Sequence, residues 1–106
     1  MAAQFTYGTS IGKHYIERND EKKLLLVDSF VICFTPKEYL LMLLLLQESP
    51  TADAALIQEA FPGQTVKDTH IALKKHIGNI CSKLMPHRIK ACRINQYGYI
   101  LIALDG

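Results

Sequence analysis

The sequence predicts an α+β fold, built from an N-terminal antiparallel sheet, three helices and a C-terminal β-hairpin. Three observations predict it. Short runs rich in β-branched and aromatic residues, split by turn residues, fill the first third of the chain. Thr35-Pro36-Lys37-Glu38 then opens a long helical stretch. Two further apolar runs around a glycine-containing turn close the chain.

The sheet comes first. Lys13 to Arg18 reads as a strand, and Asn19-Asp20-Glu21 is turn chemistry. Lys22 to Val27 and Phe30 to Phe34 are the next two strands, turned at Asp28-Ser29. In the first helix Thr35 can cap, Pro36 sits where its missing N–H costs nothing, and Glu38 can answer the cap. This helix runs to Gln47 or Glu48 and is apolar on nearly all sides, so it is expected at the core, with Leu40, Leu43 and Leu44 buried. Ser49-Pro50 ends it. Thr51 can cap a second helix from Ala52 to Phe61, with Leu56, Ile57 and Phe61 inward. Pro62-Gly63 stops that helix.

A third helix falls within Asp68 to Leu84. At 100° per residue, Leu73, Ile77, Ile80 and Leu84 lie within about 60° of one another, a core stripe. The opposite face carries Ala72, Lys75, Gly78, Asn79 and Ser82. Those side chains are short, which suits an approach to something grooved. Glycine inside a helix costs about 1 kcal/mol against alanine, so Gly78 marks a candidate close contact. Pro86 prevents continuation. Ile89 to Ile94 and Tyr99 to Leu104 form the hairpin, turned by Asn95-Gln96-Tyr97-Gly98.

A length of 106 residues is that of one domain, with the sheet at 13–34, the three-helix core at 35–84 and the hairpin at 89–104. The longest apolar run, Tyr39 to Leu46, is too short for a bilayer, which needs about twenty residues. Met1 to Ser10 lacks the layout of a signal peptide, so the expected location is cytoplasmic. Net charge is +2, unevenly spread. Residues 1 to 64 hold five Lys/Arg against eight Asp/Glu, and residues 65 to 106 hold seven against two. A basic C-terminal part is the footprint of a polyanion-binding surface, or simply of a solvated face.

Cys33, Cys81 and Cys92 are widely spaced and read as free thiols in apolar surroundings. His14, His70, His76 and His87 show no metal-ligand spacing, and no phosphate-cradling glycine loop or nucleophile elbow occurs. The sequence therefore points away from an enzyme and implies neither cofactor nor metal.

Four motifs carry a resemblance: Phe34-Thr35-Pro36-Lys37-Glu38-Tyr39, Ala55-Leu56-Ile57 through Phe61, His76-Ile77 through Lys83-Leu84, and Gly98-Tyr99-Ile100-Leu101. In order and spacing, over roughly residues 13 to 104, the chain resembles the C-terminal DNA-binding domain of OmpR/PhoB-type bacterial transcriptional regulators. The resemblance implies a winged helix-turn-helix whose third helix enters the major groove of double-stranded DNA and whose hairpin wing touches backbone or minor groove. It implies groove-facing roles for Lys75, His76, Gly78, Asn79 and Ser82, and wing roles for Asn95, where the family usually has arginine, and Gln96. Lys74, Lys83, Arg88, Lys90 and Arg93 are the expected phosphate partners. The loop from Pro62 to Thr69 matches one that contacts RNA polymerase in some members, and a homodimer on DNA is a further implied partner. No receiver domain is expected in this chain.

The family's recognition helix is usually arginine-rich, whereas Asn79, Cys81 and Ser82 stand in those places here. The function expected is sequence-specific DNA binding for transcriptional regulation. The alternative is a degenerate winged helix that serves as a protein–protein interaction module, which the missing arginines favour.

Overall fold

The computed structural model describes residues 6–64 and 66–104. The element order is β1 (Thr6–Ile11), β2 (His14–Asn19), β3 (Leu24–Val27), β4 (Phe30–Cys33), α1 (Pro36–Gln47), β5 (Thr51–Ala52), α2 (Asp53–Ala60), α3 (Val66–Leu84), a 3-10 turn (Met85–His87), β6 (Ile89–Ile94) and β7 (Gly98–Ala103). The architecture is α+β: three helices, a four-stranded antiparallel sheet in the order β1-β2-β3-β4, and a three-stranded sheet in the order β5-β7-β6. The expected N-terminal sheet has one strand more than the sequence indicated. β1 was hidden because Gly8 and the short polar Thr9-Ser10 break any apolar alternation, yet it pairs along β2 from Ser10↔Tyr15 to Thr6↔Arg18.

In the sheet, Ile16, Leu25, Val27 and Ile32 point inward. They meet Tyr39, Leu41, Met42 and Leu45 of α1, Leu56 of α2, and Leu73, Ile77, Ile80 and Leu84 of α3 in one buried cluster, closed by Ile89 and Leu101 of the hairpin. The third-helix stripe is therefore as expected. The start of α1 is as expected too. Thr35 Oγ1 accepts from the Glu38 N–H, and the Glu38 carboxylate accepts from the Thr35 N–H, a complete capping box.

Two expectations are corrected. Leu40 is exposed, and Leu43 and Leu44 are only half-buried. The buried face of α1 is Glu38, Leu41, Met42 and Leu45, spaced three, four and seven residues from Glu38. A helix with no polar face gives no direction, and the acidic residue of its first turn, Glu38, lies inside. The second correction is Thr51. It does not cap α2, whose N-cap is Ala52 with no side-chain cap bond. Thr51 is fully buried in β5, opposite Tyr99 of β7. Its hydroxyl donates to Glu48 O at 2.6 Å, a carbonyl beyond the end of α1, and reaches Leu44 O at 3.3 Å, which also accepts from the Glu48 N–H.

Helix and sheet are tied by polar groups as well. The Tyr39 hydroxyl donates to Asp20 at 2.6 Å, and Arg18 donates to both oxygens of the same carboxylate. Those bonds, Arg18 first, hold the Asp20 carboxyl below its ordinary range. The His14 ring pairs with the Asp28 carboxylate, which also accepts from the Tyr15 N–H. The Lys37 ammonium donates to Ala60 O at 2.6 Å and lies over the Phe61 ring. A cation at the C-terminus of α2 complements the helix dipole.

Candidate nucleic-acid interface

The segment from Val66 to Leu84 can be one long helix because its strong apolar stripe is uninterrupted and Pro86 lies beyond its end. With Leu73, Ile77, Ile80 and Leu84 inward, the residues half a turn away must face out. Lys75, Gly78, Asn79 and Ser82 are all exposed, as the spacing predicts, while Ala72 is partly buried against the core. The Ser82 hydroxyl donates back to Gly78 O at 3.1 Å, which leaves its lone pairs outward.

Beside this face runs the hairpin. The Cys81 thiol contacts Ala91 O at 3.5 Å, so one flank of α3 lies against β6. Between α3 and the hairpin is an open groove of about 750 Å³, lined by His70, Lys74 and Gly78 on the helix side and by Lys90, Arg93 and Tyr99 on the other. Three cations and the Asp53 carboxylate thus line one trough. Lys74 and Lys90 are exposed.

Arg93 is partly committed. Its Nη1 donates to Asp53 Oδ1 at 2.7 Å and its guanidinium lies over the Tyr99 ring at 5.1 Å. The Asp53 hydrogen bond, against some burial, raises its pKa further, so it is charged at any working pH. Asp53 belongs to the first turn of α2, whose N–H donates to Tyr97 O at 2.8 Å. The turn end of the hairpin is therefore anchored to α2 by one ion pair and one backbone bond.

Other expected residues are placed elsewhere. Lys83 is not among the residues lining the trough; it donates to the buried Glu38 at 2.6 Å and lies over the Phe34 ring, so its charge is engaged within the protein. His76 is half-buried with its ring 5.7 Å from that of Phe61, and its Nδ1 is enclosed without a hydrogen-bond partner. It is on the α2-facing flank of α3, not its outer face. Arg88 is exposed at the end of the 3-10 turn, in a left-handed conformation that lets its carbonyl accept from Leu104 N. Asn95 and Gln96 are exposed at the hairpin tip, with Gln96 at a φ of 60°. Tyr97 beside them is also exposed and did not stand out in the sequence, nor did Ile71 and His70 on α3. Ile71 could have been found: it lies four residues before Lys75 and seven before Gly78, on the same helical ridge. In the loop from Pro62 to Thr69, Pro62, Gly63 and Gln64 are exposed, Thr65 lies outside the described residues, and Val66 already belongs to α3.

A Cβ added at Gly78 would meet no atom within 4 Å. Nothing inside the protein requires glycine there. Gly78→Ala is therefore expected to raise stability by about 0.5–1 kcal/mol in denaturant unfolding, the difference in helix propensity. A loss of stability would show that the site is crowded.

Among the described residues no group of three His, Cys, Asp or Glu side chains could hold a metal ion, and Cys33, Cys81 and Cys92 are free thiols. No described helix is long and apolar enough to cross a membrane. No family model matches the chain, and no curated protein matches it.

Proposed function

We propose that this chain is a winged helix-turn-helix domain that binds double-stranded DNA sequence-specifically, of the kind found in OmpR/PhoB-type bacterial transcriptional regulators. α3 enters the major groove by its Lys75–Asn79–Ser82 face, and the β6–β7 hairpin is the wing. The observation that carries the reading is the trough beside that face, where Lys74 and Lys90 stand on opposite walls with Arg93 at one end. Exposed cations on two walls of one trough favour a polyanion over a neutral ligand. Phosphate contacts set position and affinity, and base-edge contacts set sequence.

Asn79 is the base reader. A carboxamide pairs bidentately with adenine N6 and N7, and Lys75, one turn before it, donates to guanine O6 and N7. Gly78 between them lets the helix backbone come close, so Gly78→Ala, though stabilising, weakens binding. Asn79→Ala is expected to cost about 1–3 kcal/mol on the selected site and to relax preference at one base pair. In-vitro selection from a random duplex pool, run with both proteins, measures this. An unchanged consensus removes Asn79 from the role.

The wing tip lacks arginine, so Asn95 and Gln96 contribute orientation through hydrogen bonds and little charge. RNA polymerase contact through the Pro62–Thr69 loop, pairing of two copies on DNA and a cytoplasmic location belong to this proposal as well. So does the absence of enzyme activity.

A second reading is favoured by one observation. Of the cations expected to meet phosphate, Lys83 is bound to Glu38 and Arg93 to Asp53. A domain with that few outward cations also suits a protein–protein module. Retention on DNA at low salt separates the two.

A further inference from the structure

α3 turns a ridge to solvent at Ile71, Lys75, Gly78 and Ser82, directly opposite the buried stripe of Leu73, Ile77, Ile80 and Leu84. Ile71 is 67% exposed, the highest among the large apolar side chains described. It has no place in the buried core cluster. A β-branched residue also lowers helix propensity relative to alanine. The fold neither needs it nor benefits from it.

Its surroundings limit what it can meet. Lys74 and Lys75 are exposed within one turn of it. An apolar protein surface pressed on Ile71 would desolvate those ammonium groups without pairing them. A polyanion that carries one apolar spot would pair them and still bury the isoleucine. Asp68, one turn earlier, is already engaged within the protein. In the major groove, the C5-methyl of thymine is the one apolar group on the base edges.

We infer that Ile71 is a specificity residue that reads a thymine by packing on its C5-methyl, an inference that rests on the DNA-binding reading above. Eight residues separate Ile71 from Asn79. At 1.5 Å per residue that is about 12 Å, or three to four base-pair steps of 3.4 Å. The methyl-sensitive thymine therefore lies three to four base pairs from the adenine that Asn79 reads, toward the end of the site met by the N-terminus of α3.

The test uses the duplex recovered by selection, with each thymine in turn replaced by deoxyuridine, which removes only the methyl. Wild-type protein is expected to lose about fourfold in affinity at one such position, from about 0.8 kcal/mol per methyl-sized group buried. Ile71→Ala, which leaves the core untouched, is expected to bind thymine and uracil duplexes equally, at the wild-type protein's uracil level. The inference is overturned if no replacement weakens wild-type binding, or if Ile71→Ala keeps the same penalty. It is also overturned if Ile71→Ala converts a wild-type dimer to monomer with base preference intact, since the isoleucine then meets a second copy. Selective binding without methyl sensitivity removes Ile71 alone; absence of any selected duplex removes the parent reading with it.

Discussion

Gly98→Ala is expected to lower the unfolding free energy by about 3 kcal/mol, within the range for backbone and packing disruption. Gly98 opens β7, where it faces Ile94 of β6 and Ala52 of β5. A Cβ there would fall 1.8 Å from Thr51 O and 2.9 Å from Ala52 Cα. Both are backbone atoms, so no rotamer change relieves the clash and β5 must leave β7. With it goes the burial of Thr51, whose hydroxyl serves the end of α1, and the register that brings Asp53 to Arg93. Urea unfolding followed by circular dichroism measures the loss. A change under half a kilocalorie would show that β5 is not held against the hairpin.

Lys83→Met is expected to cost about 2–3 kcal/mol at neutral pH. Removing one partner of a buried ion pair costs about 3–5 kcal/mol, discounted here because the Lys83 side chain is 35% exposed. Methionine keeps the aliphatic stem near Phe34 and removes only the charge. What remains is Glu38, 3% exposed, accepting a hydrogen bond from the Thr35 N–H. In the intact protein, burial pushes the Glu38 carboxyl up, but the Lys83 and Thr35 hydrogen bonds together outweigh it and hold the group below its ordinary range. A lowered folded-state pKa contributes stability above the unfolded value, about 4.3, that is lost as pH falls through the folded value. Without Lys83 two of the lowering contributions are lost, so the folded-state pKa of Glu38 rises. The variant's deficit is then largest at neutral pH and narrows as pH falls toward 4. Denaturant curves at pH 7 and pH 5 check this, and an equal deficit at both would refute it.

Much of the fold was legible in the residues. Thr35-Pro36-Lys37-Glu38 fixes a helix start by local chemistry alone, and the Leu73–Leu84 stripe points α3 by periodicity alone. Both signals are short-range, and both agree with the structure. What was not legible is long-range. The rotation of α1 is decided by the Lys83–Glu38 pair, 45 residues apart, which turns a charged residue inward. Thr51 carries the same capping chemistry whether it serves the helix after it or the one before it, and only the pairing of β5 with β7 decides. β1 pairs although its own sequence alternates poorly, because β2 supplies the edge. On α3, sequence placed Lys75, Gly78, Asn79 and Ser82 on the outer face, as the structure does, but misplaced Ala72 and His76, which are half-buried. It could not show that Lys83 and Arg93 are held by Glu38 and Asp53, since ion-pair choice depends on packing. It passed over Ile71, which helical spacing alone places on the ridge.

DNA binding by the α3–hairpin surface through phosphates, as proposed, makes affinity depend on salt. The most direct measurement is fluorescence anisotropy of a labelled duplex titrated with the intact chain across a salt series. Lys74 and Lys90 are the exposed lysines of the trough, Lys75 reads bases and Arg93 is paired with Asp53, so two to three phosphate contacts are predicted. The logarithm of the binding constant should then fall with the logarithm of salt concentration with a slope of about −2 to −3, at about −0.9 per phosphate neutralised. Lys74→Ala and Lys90→Ala should each make the slope shallower by about one. Absence of binding at low salt, or binding that ignores salt and both substitutions, would contradict the account.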